Sequence, residues 1–540
     1  MSSLTVSLVR RWRPETLSTL ALELDDAARR LRDRVDDAIA ASDRSQDHWI
    51  GTAADAARER ARLIGADAVE VARRMVSASV AAHDGAEQIA AARSALLTEV
   101  DEARTSGFDV ADDGSVTVVA EPEPLLVLLA GGQDAVAEDM LELRAVELSA
   151  RIRDALSKLE AADADAAHDI TSALSDTETP DRPAATVPAG AWPVQAVDVV
   201  DAWPAMSQDR IATQIGAMSL EQRNRLIADF PQQVGNTDGV PWDMRIAANR
   251  LNIASAILAE TGADSLSRRR IEFYRSLLGE IDDPASGQRI SRKIIAFDTG
   301  RASLVELNGD LATARGVAVL VPGVNTTIEG SSSNTATARR FVSATRGEIA
   351  VITYLGGPFP QVRDPISVLQ SADTRFALDM APRLVAFSED VDRRVGDGVP
   401  VTVIGHSYGG SIVGTAETMG LTSDRTLFLA AAGAGVGVDD PGDWHNRNPH
   451  VERFSMTAPG DFIELVQGIP GGPHGSDPDE MPTVIRLAAG DYDDGGPVAG
   501  WDAHSGMLNR PSDSWRTILA VIAGDSQSVG RAMVDAPTVR

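Results

Sequence analysis

A chain of 540 residues exceeds one ordinary core, because domains cluster at ~100–200 residues, so two or three folding units are expected. Apolar residues make up 43% and charged residues 24%, a composition that speaks against wholesale disorder and against a membrane-embedded chain. A net charge of -29 repels nucleic-acid phosphates and anionic membranes, so no nucleic acid partner is expected, and the absence of Cys excludes disulfides, thiolate metal sites and a Cys nucleophile.

The opening stretch MSSLTVSLVRRWRPETL has no apolar run of the ~7–15 residues that a signal peptide needs, so general secretory export is not expected. The most apolar short stretch, 124–130, falls far short of the ~20 residues of a transmembrane helix, and none is expected. From Pro14 to Thr105 the chain is rich in Ala, Glu, Asp and Arg. Leu20, Leu22, Leu24, Ala27, Leu31 and Val35 fall largely on one stripe, which predicts a long helix. The polar interruption ASDRSQDHWIG precedes a second Ala-rich run from Ala53 to Val100, so a helical hairpin with Trp49 and Gly51 at its corner is expected. Two readings of that corner stay open: Trp49 plugs the open end of the hairpin, or it serves a partner.

The Trp-Ile-Gly turn between two helices resembles the WXG100 superfamily, small helical hairpins associated with type VII secretion in actinobacteria and their relatives. The resemblance covers the first ~110 residues. It implies pairing with a partner helical hairpin or self-association, and export by a type VII-like route as an alternative to a cytoplasmic location. The superfamily's Tyr-x-x-x-Asp/Glu export signal has no match after the second helix, where Phe108 and Asp112 keep the spacing with a different aromatic residue.

Gly107 to Val119 reads as a β-hairpin turning at Asp113 and Gly114, which closes a first domain over residues 1–119. Pro122 to Ser175 reads as another helical pair and 179–193 as a linker, giving a connector over 120–192. A helical lead-in is expected over 193–289. Within it, Met218 to Pro231 is a helix capped by Ser219, and VGNTDGVPWDMRIAANR, up to Arg250, is an irregular loop seating two helices. From roughly Trp203 to the C-terminus, through that loop, the chain resembles the actinobacterial hydrolases grouped as DUF1023.

From Ile290 strands alternate with helices, which predicts a mostly parallel sheet covered on both faces. The expected strands are Lys293–Asp298, Ser303–Asn308, Val317–Gly323, Ile349–Leu355, Val401–His406, Thr426–Gly433, Arg453–Ala458 and Thr483–Ala488. Only TGRA separates the first two, so they must form an antiparallel hairpin. Eight such strands suit an α/β-hydrolase fold over 290–540, preceded by an all-α N-terminal region.

Gly405-His406-Ser407-Tyr408-Gly409 is a G-x-S-x-G string, which composition alone would produce roughly 0.2 times in such a chain. Its context is more telling: it follows the apolar strand VTVI and opens a small-residue helix, the strand, sharp turn and helix of a nucleophile elbow. Ser407 is therefore the candidate nucleophile, with Gly405, His406 and Gly409 shaping the turn. Its base should come after an acid, in the order Ser, Asp/Glu, His. His504, in WDAHSGML beyond the last strand, is the expected general base, whereas His474 in GIPGGPHGSD reads as a solvated or lid residue. The orienting acid is Asp461, after RFSMTAPG, with Asp439 after the preceding strand as the second position; either also suits a helix cap. Tyr408 and Val324 are the expected backbone donors of an oxyanion hole. Asn325, Thr326 and Thr327 either line an acyl pocket or serve as turn residues.

Neither metal nor cofactor is implied. DDPGDWHNRNPH lacks regular ligand spacing, and GSSSN lacks the G-K-[ST] end of a phosphate loop. The expected activity is hydrolysis of a small-molecule or lipid ester through an acyl-enzyme on a Ser-His-Asp triad. The alternative is a type VII secretion-associated interaction or effector protein whose hydrolase domain is vestigial or partner-activated.

Overall fold

A computed structural model describes residues 4–45, 48–120, 122, 133–175, 196–362, 372–396, 398–467 and 472–534. The apolar stretch 124–130 and the expected linker 179–193 lie outside the described residues. Contacts divide the chain into two compact units, Met1–Val187 with Ile257–Ala259, and Pro188–Ala256 with Glu260–Arg540. Among the described residues no helix is long and apolar enough to cross a membrane.

The first unit is built on the helices Glu15–Arg44, Thr52–Thr105 and Asp134–Leu174, and the first two form the expected hairpin. Burial corrects the expected stripe on the first of them. Ala21 and Ala28 are buried, whereas Leu20 and Leu22 are 38% and 66% exposed. Residues seven apart return to one face after two turns, and positions 20 and 22 fall to either side of it. Of the helical pair expected over Pro122 to Ser175, residues 134–174 make one helix that neither Gly nor Pro interrupts, and 123–132 lie outside the described residues. That helix packs closely on its neighbour, where a Cβ built on Gly85 would lie 2.5 Å from the Ala166 Cβ. The hairpin expected from Gly107 to Val119 is present as β1 (Phe108–Val110) and β2 (Val116–Val118), paired antiparallel with Phe108 opposite Val118.

In the second unit Ser219 caps its helix as predicted, and Gln222 completes a capping box from the other side. The loop expected up to Arg250 is largely helical instead. Pro231–Asn236 and Trp242–Ala259 are helices, which confines the turn to residues 237–241. A small hairpin follows, β3 (Glu280–Asp282) with β4 (Arg289–Ser291).

The main sheet comprises β5 (Lys293–Asp298), β6 (Ser303–Asn308), β7 (Gly316–Val321), β8 (Ile349–Leu355), β9 (Val401–His406), β10 (Arg425–Leu429), β11 (Glu452–Met456) and β12 (Val484–Arg486). Their spatial order is β12-β11-β10-β9-β7-β8-β6-β5. Every neighbouring pair is parallel except β5 with β6 and β6 with β8, so β6 alone runs against the rest. This is the α/β-hydrolase arrangement. Both sheet edges are covered. Along β5, Asn236 bonds both polar backbone groups of Phe297, Asn249 Nδ2 donates to the Ile294 carbonyl, and Arg245 Nε donates to the Ile295 carbonyl. At β12 the chain end takes that role, as Val534 N–H donates to the Arg486 carbonyl. Lead-in polar residues thus spend their hydrogen bonds on a strand edge that would otherwise invite association.

Candidate active site

β9 delivers Ser407 from the sheet into the helix Tyr408–Thr418. Ser407 adopts φ 58° and ψ -124°, a conformation that costs a non-glycine residue about 1–3 kcal/mol and persists only where its surroundings enforce it. Here they do. Ser407 N–H donates to the Leu429 carbonyl at 3.1 Å, and its own carbonyl accepts from Gly410 and Ala432 N–H at 3.0 and 2.9 Å. The glycines answer to close approach. A Cβ on Gly405 would lie 2.6 Å from the Gly409 carbonyl oxygen, and one on Gly409 2.2 Å from that of Val321. Gly410 is needed too, because its Cβ would meet that of Ala431 at 2.2 Å.

Asp461 follows β11 and is 2% exposed. Both its carboxylate oxygens lie 3.0 Å from His504 Nδ1. A carboxylate only accepts, so Nδ1 carries the proton of the neutral ring and Nε2 is left as the basic nitrogen. Asp461 Oδ1 also accepts from Ile463 N–H at 3.0 Å, so the cap and the histidine contact coexist. Asp439 is exposed; its N–H bonds the Asp443 carboxylate, and among the described residues it forms no hydrogen bond with a histidine. His504 is the second residue of the helix Ala503–Asn509. Its ring packs against Phe462, centroids 4.3 Å apart, and against His406 at 4.9 Å.

His406 is more than a spacer in the elbow. Its Nε2 lies 2.7 Å from the His504 carbonyl oxygen, which can only accept, so Nε2 carries the hydrogen. Burial, reinforced by the neighbouring His504, holds His406 down to about 4, and the ring is neutral at neutral pH.

The loop after β7 lies against the elbow: a Cβ on Gly323 would sit 2.8 Å from Ser407 Oγ. Val324 follows directly. Tyr408 opens its helix, so its N–H has no partner within the helix. Its phenol is buried, donates to the Asp373 carbonyl, and is pushed well above its ordinary range by that burial. Asn325, Thr326 and Thr327 are turn residues. Asn325 has φ 63° and accepts from Val362 N–H, Thr326 Oγ1 donates to the Gly323 carbonyl, and Thr327 Oγ1 accepts from Gly330 N–H. His474 is buried rather than solvated, 5% exposed, with Nδ1 2.9 Å from Ser411 Oγ and its ring edge-on to Tyr408. Gly410, Phe462 and the His406 contact are not singled out by the sequence. A third glycine beside the elbow is the one local signal, since the other two depend on residues far along the chain.

Residues 298–469, which include Ser407 and Asp461, match a family model described as alpha/beta hydrolase. Two Mycobacterium tuberculosis proteins, Uncharacterized protein MT2140 of strain CDC 1551 / Oshkosh and Uncharacterized protein Rv2079 of strain ATCC 25618 / H37Rv, are each 28% identical over 262 residues. The match takes in 40% of this chain and 38% of the length of those relatives. Among solved structures, a dienelactone hydrolase-like promiscuous phosphotriesterase, P91, from metagenomic libraries is 15% identical, covers 42% of this chain and 95% of its own, and has a TM-score of 0.25. Esterase B from Lactobacillus rhamnosis is 13% identical over 42% of this chain and 82% of its own, with a TM-score of 0.26. The family match and the order and directions of the eight strands together give the second unit the fold of an α/β hydrolase.

Proposed function

We propose that the second unit is a serine hydrolase that cleaves carboxylic esters, with Ser407 as nucleophile, His504 as general base and Asp461 as the carboxylate that orients it. The reading is supported above all by a serine held at positive φ on a strand-to-helix turn in a unit that also pairs a buried aspartate with a histidine beyond the last strand. In this mechanism Ser407 Oγ attacks the ester carbonyl carbon while His504 Nε2 takes the hydroxyl proton. The tetrahedral intermediate collapses, the bond to the alcohol oxygen breaks, and that oxygen receives the proton from His504. Water then attacks the acyl-enzyme, giving its proton to His504, and the carboxylic acid leaves as Ser407 recovers its hydrogen. The N–H groups of Val324 and Tyr408 would hold the oxyanion in both steps.

The test is labelling by a fluorophosphonate probe beside turnover of short-chain nitrophenyl esters, in wild type and Ser407→Ala. Both signals should vanish in the variant. Equal labelling or turnover in the variant would overturn the assignment. For the first unit a second reading has support of its own: Trp49 and Ile50, at the hairpin corner, are 48% and 89% exposed, which suits a surface that pairs with another helical hairpin. Folded wild type that neither labels nor turns over would move the weight to that reading.

A further inference from the structure

We propose that His406 is a positioning residue that sets the distance between nucleophile and base, by tying the backbone of residue 504 to the residue that precedes Ser407. The inference rests on the reading of His504 as general base.

The helix that carries His504 is anchored on its apolar side, where Ala503 and Met507 are fully buried, and Gly500 N–H donates to the Pro459 carbonyl just ahead of it. It spans seven residues, and its N-cap, Asp502, makes no side-chain capping bond. The segment leading to it bends at Gly490, Gly495, Gly496 and Gly500, all at positive φ, while Tyr492 and Val498 between them are buried. The imidazole is held at Nδ1 by Asp461, which orients the ring. His406 adds a restraint on the backbone of residue 504 itself. Its Nε2–H donates to the His504 carbonyl at 2.7 Å, and its ring packs 4.9 Å from the His504 ring at 44°. A carbonyl has two lone pairs, so this lateral bond does not displace the helical one. His406 ends β9 and is covalently joined to Ser407, so a bond from its side chain to the carbonyl of residue 504 ties the backbone that carries the base to the strand end that carries the nucleophile. Reach decides the residue type: glutamine places its amide N–H near the position of Nε2, whereas asparagine stops near Nδ1.

The experiment compares His406→Gln, His406→Asn and His406→Leu for ester turnover. A misplacement of the base on the order of 1 Å costs about 100-fold, so kcat should fall roughly 10- to 100-fold in the Asn and Leu variants while KM stays within about twofold. The Gln variant should recover most of kcat. Leu fills the site without a donor and supplies the same test should the Asn variant fold poorly. In a His504→Ala background His406→Asn should cost nothing further, because there is no base left to position. Wild-type kcat in His406→Leu, a folded Gln variant as slow as Asn, or an undiminished cost in the His504→Ala background would each overturn the proposal. Undiminished turnover in His504→Ala itself would instead overturn the reading of His504 as base.

Discussion

The two units handle backbone and polarity in opposite ways. The first is made of long helices that approach closely where small residues meet, as at Gly85 and Ala166, around a largely aliphatic core, and none of its described non-glycine residues has positive φ. The second holds all five that do, Ala302, Asn325, Arg346, Ser407 and Ala430. Three of these, Asn325, Ser407 and Ala430, follow β7, β9 and β10, which are neighbours in the sheet. Strain is thus gathered where adjacent strands end beside the candidate nucleophile, under a core that includes Leu320, Ile404, Leu429 and Met456. Regular packing can carry a helical hairpin, but a serine pushed clear of its strand needs a rigid sheet to enforce it.

If that contrast is functional, the largest effects of mutation belong to the second unit and leave the first untouched. Ser407→Ala should lower kcat by roughly 10⁴- to 10⁶-fold with an unchanged circular dichroism spectrum. Asp461→Asn should cost about 10⁴-fold, because the amide favours the wrong imidazole tautomer, whereas Asp439→Asn should turn over ester at the wild-type rate. Full activity in Asp461→Asn with loss in Asp439→Asn would reverse the assignment of the acid.

How much of this is legible in the sequence follows from how local each feature is. β8, IAVITYL, is buried at all seven positions, and such a run is readable with its bounds. β12 is half exposed and shorter than expected, Val484–Arg486. The elbow is legible because strand, glycines and serine sit together in a few residues. The lead-in around Asn236 and Asn249 is not: its composition is that of a loop, and it is helical because its polar side chains bond the edge of β5. Asp461 and Asp439 each follow a strand, so only their placement in space separates them. The His406 contact joins residues 98 apart and has no sequence signal.

A buried ion pair sharpens the comparison next. Arg245 and Asp390, 2% and 0% exposed, meet at 3.0 Å, and Trp242 Nε1 and Gly239 N–H also bond Asp390. Arg245→Met leaves Asp390 with Arg394, at 3.3 Å, as its remaining cation and takes the guanidinium from Asp238, and should lower the stability of the second unit by up to about 3–5 kcal/mol. Urea unfolding should show one transition shifted and the other in place. A smaller effect belongs to His406. The folded chain holds it near 4 against an ordinary 6.5, so between those values the unfolded chain binds a proton that the folded chain refuses. Its contribution is full above 6.5 and is lost as pH falls toward 4, with a limit of about 3 kcal/mol. Urea midpoints at neutral and acid pH should converge between wild type and His406→Gln as the pH drops; parallel curves would mean a ring that titrates as in water.

The smallest effect is expected at the corner of the first unit. Arg58 is 6% exposed, donates to the Trp49 carbonyl, and lies 3.1 Å from the Asp55 carboxylate, while Trp49 N–H bonds the Ser45 carbonyl. Backbone and guanidinium hydrogen bonds hold the turn, and the indole is half exposed. Trp49→Ala should therefore shift the stability of the first unit by less than ~0.5 kcal/mol, whereas Arg58→Ala removes the buried guanidinium that holds the Trp49 carbonyl and should cost about 1–2 kcal/mol. A cost at Trp49 as large as that at Arg58 would make the indole a plug of the hairpin. A neutral Trp49→Ala would leave an exposed aromatic with no structural task, and would turn the search toward what covers it.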